Sequence, residues 1–236
     1  MHKIDMPQWA TDVALDRRGK AHIYADLDPR KTALIVVDLQ NGFMDEEVAI
    51  AYVPIAVEIV PNVNRLAAAV RRTGGKVFWI KNTFDETNLK AWSEYFTMLT
   101  PAKRARAIAN MAPNTRGHAI YPTLEVKPED EIVNKYRFSA FVQGASDLPE
   151  RLRAQGYDTV LITGTVTNVC CESSARDAMM LNFKTIMVSD GNAARTDAEH
   201  NATLASFYSV FGDVMDTDFL IARLEANAAT RSAAAA

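Results

Sequence analysis

Short apolar runs of strand length alternate with stretches of helical spacing along most of the chain, and no other feature narrows the possible folds as much. The run Thr32 to Asp38 is apolar throughout and ends in a carboxylate, the mark of a parallel strand buried on both faces. Ile55 to Arg72 then places Ile55, Ile59, Val63, Leu66 and Val70 on one side of a helix that Gly74-Gly75 stops. Pro61 inside that run predicts either a kink or the helix's true start, because proline is tolerated only in a first turn. Lys76 to Lys81 is the second strand, and further strands are predicted at Glu131 to Asn134, Asp158 to Thr163, Lys184 to Val188 and Asp213 to Met215. Between them the spacing predicts helices over Asn88 to Met111, interrupted by Pro101, and over Ser146 to Gln155, Asn168 to Leu181 and Asp197 to Val210. Such alternation predicts an α/β fold with a doubly wound, mainly parallel sheet and helices on both faces. In such sheets ligands bind outside the carboxyl ends of the strands.

With 236 residues and 48% apolar side chains, the chain can fill one core of this kind, expected over residues 31–225. Residues 1–30 show no sustained period and carry mixed charge, so they read as an arm lying on the surface or on a neighbouring subunit. The alanine-rich end, residues 226–236, is expected as a low-complexity tail with no core to join. A net charge of -3 gives no basic footprint for nucleic acid or an anionic membrane, which leaves a small molecule as the expected partner. No apolar run reaches the roughly 18 residues that a membrane span requires. No signal-like segment follows Met1 either, so the expected location is the cytoplasm. The two cysteines are adjacent, which suits reduced thiols better than a structural disulfide.

Chemistry concentrates at three strand ends. Leu161 to Ala178 begins as an apolar strand, breaks at Gly164 into a small polar turn, and resumes with helical spacing from about Asn168. A cysteine in the first turn of such a helix faces unpaired N–H groups and the positive end of the dipole, which favour the thiolate. The plainer alternative is that Cys170 and Cys171 are buried apolar fillers. Asp38 and Lys135 also stand at strand ends, where a turn cap and a solvated charge are the corresponding plain alternatives. The fold rule brings such ends to one rim, and the three groups make chemical sense together. A thiol needs a base and a leaving nitrogen needs a proton donor, while a lysine near both favours the charged forms.

Three segments carrying these residues, LIVVDLQNGF at Leu34 to Phe43, KYRFSAF at Lys135 to Phe141 and GTVTNVC at Gly164 to Cys170, resemble the signature segments of the isochorismatase-like cysteine hydrolases. The resemblance covers roughly residues 30–225 and implies a Rossmann-like three-layer sandwich. It implies a catalytic triad of Asp38, Lys135 and Cys170, a cis peptide at Thr165-Val166, and an oxyanion hole formed by the N–H groups of Val166 and Cys170. It further implies a homodimer or homotetramer and no cofactor. Phe43, Asn82 and Phe138 are expected in the substrate pocket by position. Members of the family cleave nicotinamide, N-carbamoyl amino acids, ureidoacrylate, biuret-type ureas, maleamate or, in a branch lacking the cysteine, the vinyl ether of isochorismate. Cys170 therefore implies C–N bond cleavage. The nicotinamidase branch carries a histidine cluster for a metal, and here the matching interval holds only His118, so no metal centre is expected. Trp79 to Glu86 is similar to a segment of ureidoacrylate amidohydrolases. The expected activity is a cysteine-dependent amidohydrolase acting on a small ureido or carboxamide substrate through a thioester-type intermediate. The alternatives are a nicotinamidase or maleamate-type amidase, an isochorismatase-type vinyl-ether hydrolase, and a non-catalytic binding protein of the same fold.

Overall fold

The run Thr32–Val37 (β1) is buried along its whole length, because it lies in the middle of the sheet with a paired strand on either side. The computed structural model describes residues 1–235. Besides β1 the sheet contains β2 (Lys76–Asn82), β3 (Glu131–Lys135), β4 (Thr159–Thr165), β5 (Lys184–Ala193) and β6 (Asp213–Met215), every pairing parallel, in the order β3-β2-β1-β4-β5-β6. The chain winds outward from β1 to β3, then crosses back and winds the other way from β4 to β6. The topological switch therefore lies between β1 and β4, where a ligand crevice is expected beyond the carboxyl ends. Val37 pairs with Gly164 across that switch, and Asn82 pairs with Lys135 one strand further out.

Helices α1 (Gln8–Arg18), α2 (Asn41–Met44), α3 (Val60–Arg72), α4 (Glu86–Ala91), α5 (Ser93–Thr97) and α6 (Pro101–Met111) precede β3. After it come α7 (Leu148–Ala154), α8 (Glu172–Met180), α9 (Asp197–Val210) and α10 (Thr217–Ala235). Period-two alternation along β1 divides the core: Leu34 and Val36 face the layer of α3 and α10, while Ala33, Ile35 and Val37 face the layer of α8 and α9. The doubly wound, three-layer expectation holds. No helix among the described residues is long and apolar enough to cross a membrane.

Some boundaries differ from expectation for local reasons. Pro61 lies in the first turn of α3, so the helix begins at Val60 and is not kinked. The stretch from Asn88 to Met111 is divided before Pro101 and also at Trp92, whose backbone leaves the helical region. Within the stretch read as an arm, residues 8–18 form a regular helix, α1, which packs on α9 of the same chain through Ala10 and Ala14. The alanine-rich end likewise continues α10, since alanine is the strongest helix former. Asn227 ties it to the Ala25 and Leu27 carbonyls, and Arg231 lies 3.5 Å from Asp28.

Candidate active site

Asp38 follows β1 directly and adopts a left-handed backbone (φ 54°), a conformation that aspartate tolerates better than most side chains. Its N–H still donates to the Ile80 carbonyl at 3.0 Å, so the turn starts from a strand end fixed by β2. The carboxylate is fully buried, and Lys135 Nζ lies 2.7 Å from its Oδ2. The contact is a buried ion pair, and the Cys170 thiol and the Asn82 N–H also lie within reach of the same carboxylate. Lys135 is also fully buried; Nζ donates to the Arg137 carbonyl at 3.0 Å and, at a longer 3.4 Å, to Asn82 Oδ1. Gln40 fixes Asn82 in turn. Its Oε1 accepts the Asn82 N–H at 2.8 Å, and its Nε2 donates to the carbonyls of Asn82 and His118.

The cysteine comes from the other side of the switch. Gly164 has φ +122°, and a Cβ there would sit 2.0 Å from the Val37 carbonyl oxygen, so only glycine allows the ends of β1 and β4 to approach so closely. The Thr165-Val166 peptide is cis. Thr167–Cys171 then forms a single π-helical turn before α8, so Cys170 lies in that turn and not in the first turn of the α-helix as expected. The Val166 carbonyl accepts the N–H groups of Val169 (3.0 Å) and Cys171 (3.2 Å), and the Cys170 N–H between them is not among its donors. The adjacent cysteines diverge: Cys170 faces a cavity, whereas Cys171 is fully buried with its sulfur 3.9 Å from the Thr163 carbonyl.

Electrostatics in this cluster are governed by burial. Burial raises the Asp38 carboxyl pKa, and the Lys135 ammonium opposes without reversing that shift. Burial works against the charge on Lys135 too, but the facing carboxylate and thiol hold its proton and raise its pKa overall. The Cys170 thiol is pushed up by burial, with Lys135 opposing and Asp38 adding to the rise. Its resting form is therefore the neutral thiol, contrary to the expectation that a nearby lysine and helix dipole leave it ionised.

The cavity above Cys170 encloses about 240 Å³. Phe43, Asn82, Phe138 and Val166, all expected near the site, line it, while Asp38 and Lys135 lie outside its lining, behind Cys170. Phe84 and Tyr95 complete an aromatic wall with Phe138. Burial, then the neighbouring Cys170, raises the Tyr95 phenol pKa and keeps it a neutral donor. Lys103, Arg106 and Arg195 add positive charge at the edge of the cavity and have no carboxylate partner among the described residues. Arg106 spends donors on the Ala49 and Glu47 carbonyls, which fastens α6 to the loop after α2. Sequence reasoning missed these three cations, Tyr95 and Gln40. The cations lie on α6 and after β5, in segments with no pattern pointing to a site, whereas Gln40 stood inside a motif already singled out.

No three histidine, cysteine, aspartate or glutamate side chains gather as a metal site among the described residues. His118 is buried beside the strand end, with Nε2 2.8 Å from the Thr83 hydroxyl, and is not part of the cavity lining.

Residues 32–219 match the family model described as the isochorismatase domain. The ureidoacrylate amidohydrolase RutB of Methylobacterium radiotolerans is 31% identical over 205 residues, covering 80% of this chain and 78% of its own. A cysteine hydrolase from Pseudomonas syringae pv. phaseolicola superposes with a TM-score of 0.76 at 28% identity, covering 86% of this chain and 96% of that one. The N-carbamoylsarcosine amidase from Thermoplasma acidophilum superposes with a TM-score of 0.62 at 25% identity, covering 80% and 97%.

Proposed function

Because this chain belongs to the isochorismatase family, we propose that it is a cysteine amidohydrolase that cleaves a C–N bond of a small ureido or carboxamide compound carrying an anionic group. The observation that carries this reading is the buried Asp38–Lys135 pair behind Cys170, under an apolar cavity with uncompensated cations at its edge. The relatives named for ureidoacrylate and N-carbamoylsarcosine support the ureido class.

In this mechanism the Cys170 sulfur attacks the substrate's carbonyl carbon while its proton passes to Asp38, whose raised pKa suits it to take a proton from a neutral thiol. The carbonyl oxygen becomes negative and is held by the N–H groups of Val166 and Cys170. Asp38 returns the proton to the departing nitrogen as the C–N bond breaks. Ammonia leaves from a carboxamide, or an amine from a ureido group, and the acyl or carbamoyl group stays on sulfur. Water then attacks that carbon, giving one proton to Asp38, and the proton returns to the released thiolate. Lys135 keeps its charge throughout and stabilises the carboxylate whenever Asp38 is ionised. Lys103, Arg106 and Arg195 face the substrate's anionic end.

The test compares kcat/KM for ureidoacrylate, biuret, maleamate, nicotinamide and isochorismate, before and after dialysis against a strong chelator. The anionic ureido compound is expected to be fastest and unaffected by the chelator. Cys170→Ala should cost about a thousandfold or more in kcat, while Cys171→Ala should act mainly on stability. Mass spectrometry should find the adduct on Cys170. Isochorismate turnover that survives Cys170→Ala overturns the reading.

A further inference from the structure

The segment expected as an arm on the surface or on a neighbouring subunit sends its first residues to the back of the cysteine turn. His2 is buried, and both its ring nitrogens are used: Nδ1 lies 2.7 Å from Asp197 Oδ1, and Nε2 accepts the Ala194 N–H at 2.9 Å. Acceptance at Nε2 assigns the proton to Nδ1, so the ring is neutral with a fixed tautomer. This ring stacks on His200, with centroids 4.2 Å apart and planes at 18°. His200 is fully buried; its Nε2 donates to the Ser189 carbonyl at 3.0 Å, and its Nδ1 accepts the Thr167 hydroxyl at 2.9 Å. Asn201 on α9 fixes the segment further, accepting the Asp5 N–H (3.1 Å) and donating to the Lys3 carbonyl (2.9 Å).

These contacts end on both walls of the cavity. Ala194 directly precedes Arg195, one of its cations, and Thr167 opens the turn that carries Cys170. Two apolar rings would fill this space as well; four buried ring nitrogens, each with an oriented partner, fix the position of what they hold.

We infer that the N-terminal segment is a working part of the site, with His2 and His200 as positioning residues. His2 sets the Arg195 wall through the Ala194 backbone, and His200 sets the cysteine turn through Thr167. The inference rests on the amidohydrolase reading, and its test separates the two.

The full chain is assayed on ureidoacrylate as wild type, His2→Phe, His200→Phe and His2→Gln, the phenylalanines keeping the stacked rings and removing only the nitrogens. His2→Phe should raise KM about tenfold with kcat within about twofold, and His200→Phe should lower kcat about tenfold with KM little changed. His2→Gln, which can accept from Ala194 and donate to Asp197, should recover most of the KM. Folded phenylalanine variants with both constants within about twofold of wild type overturn the inference. If the histidine variants do not fold, Asp197→Ala serves in their place. It removes the half-exposed acceptor of His2 together with that of the Lys3 N–H, leaving both histidines in place, and should reproduce the KM rise in weaker form; an unchanged KM overturns the inference. If wild type hydrolyses none of the amides or ureas, the amidohydrolase reading has failed, and iodoacetamide labelling of Cys170 still reads the turn. A rate in His200→Phe changed by about fivefold supports the positioning role, and an unchanged rate overturns it.

Discussion

At the scale of single residues, the cluster of Asp38, Lys135 and Cys170 was legible because the first two stand at strand ends and the third in the turn after one, and parallel strand ends share one rim. What the sequence could not disclose is the protonation state of the group. Dipole and lysine arguments favour a thiolate, but they leave out desolvation, and burial of Cys170, Asp38 and Lys135 together outweighs them. The pH profile should follow. Asp38 must be ionised to receive the thiol proton, and its pKa lies above the ordinary carboxylate value. As pH falls through that raised value the base becomes protonated, so the acid limb of kcat/KM should lie above the pH of about 3.9 typical of aspartate. Asp38→Asn should abolish that limb and cost about a hundredfold or more in kcat/KM. It also leaves the Lys135 charge buried without its partner, so a fall in melting temperature accompanies the loss. An acid limb at the ordinary aspartate value, or one that persists in Asp38→Asn, would remove Asp38 from the role of base.

At the scale of elements, some segments were legible to the residue, as with α9, which Thr196 caps at its start, and β6, which is buried throughout. Helix α1 was not legible: it buries only Ala10 and Ala14, too narrow a stripe to stand out among charged neighbours. Strand β5 was expected to stop at Val188, where the apolar run ends, and instead extends to Ala193. It continues because the register shifts opposite Ile162 and Gly164, and Asn192 Nδ2 donates to the Ile162 and Val188 carbonyls where the ladder is irregular. The most exacting contact between elements is Gly164 against Val37. Gly164→Ala meets both a φ of +122° and a backbone oxygen 2.0 Å from the new Cβ, neither of which a rotamer change relieves. The substitution should therefore destabilise the fold by about 3 kcal/mol or more in urea unfolding and displace Asp38 from Cys170. A cost below about 1 kcal/mol would mean that the two strand ends can part without consequence.

For the whole molecule, the alternation of strands and helices was enough to predict the winding, and with it the crevice beside β1. The cavity's charge was not, because Lys103, Arg106 and Arg195 come together only through folding. The same folding buries histidines that the sequence leaves unremarkable, and this couples stability to pH. Burial, assisted by Lys81, lowers the His118 pKa to about 4, and burial is the largest cause that lowers that of His200 to about 4 as well. In the unfolded chain both titrate near 6.5, so on acidification the unfolded state binds their protons first. The stability they confer is complete above that value, declines as pH falls from about 6.5 to about 4, and reaches a loss on the order of several kcal/mol for the pair. Asp38, raised by burial, opposes this over the lower part of the window, because there the folded state is the one that binds the extra proton. Carboxylates held low by partners, such as Asp130 against Arg71 and Trp79, add their own loss only further into acid. Urea midpoints measured at intervals from pH 7.5 to pH 4.5 should therefore fall steadily. His118→Gln, which keeps a polar group beside Thr83 but cannot titrate, should flatten the slope. Midpoints that stay level from pH 7 to pH 5, or a slope that His118→Gln leaves unchanged, would show that these histidines are not what makes the fold sensitive to acid.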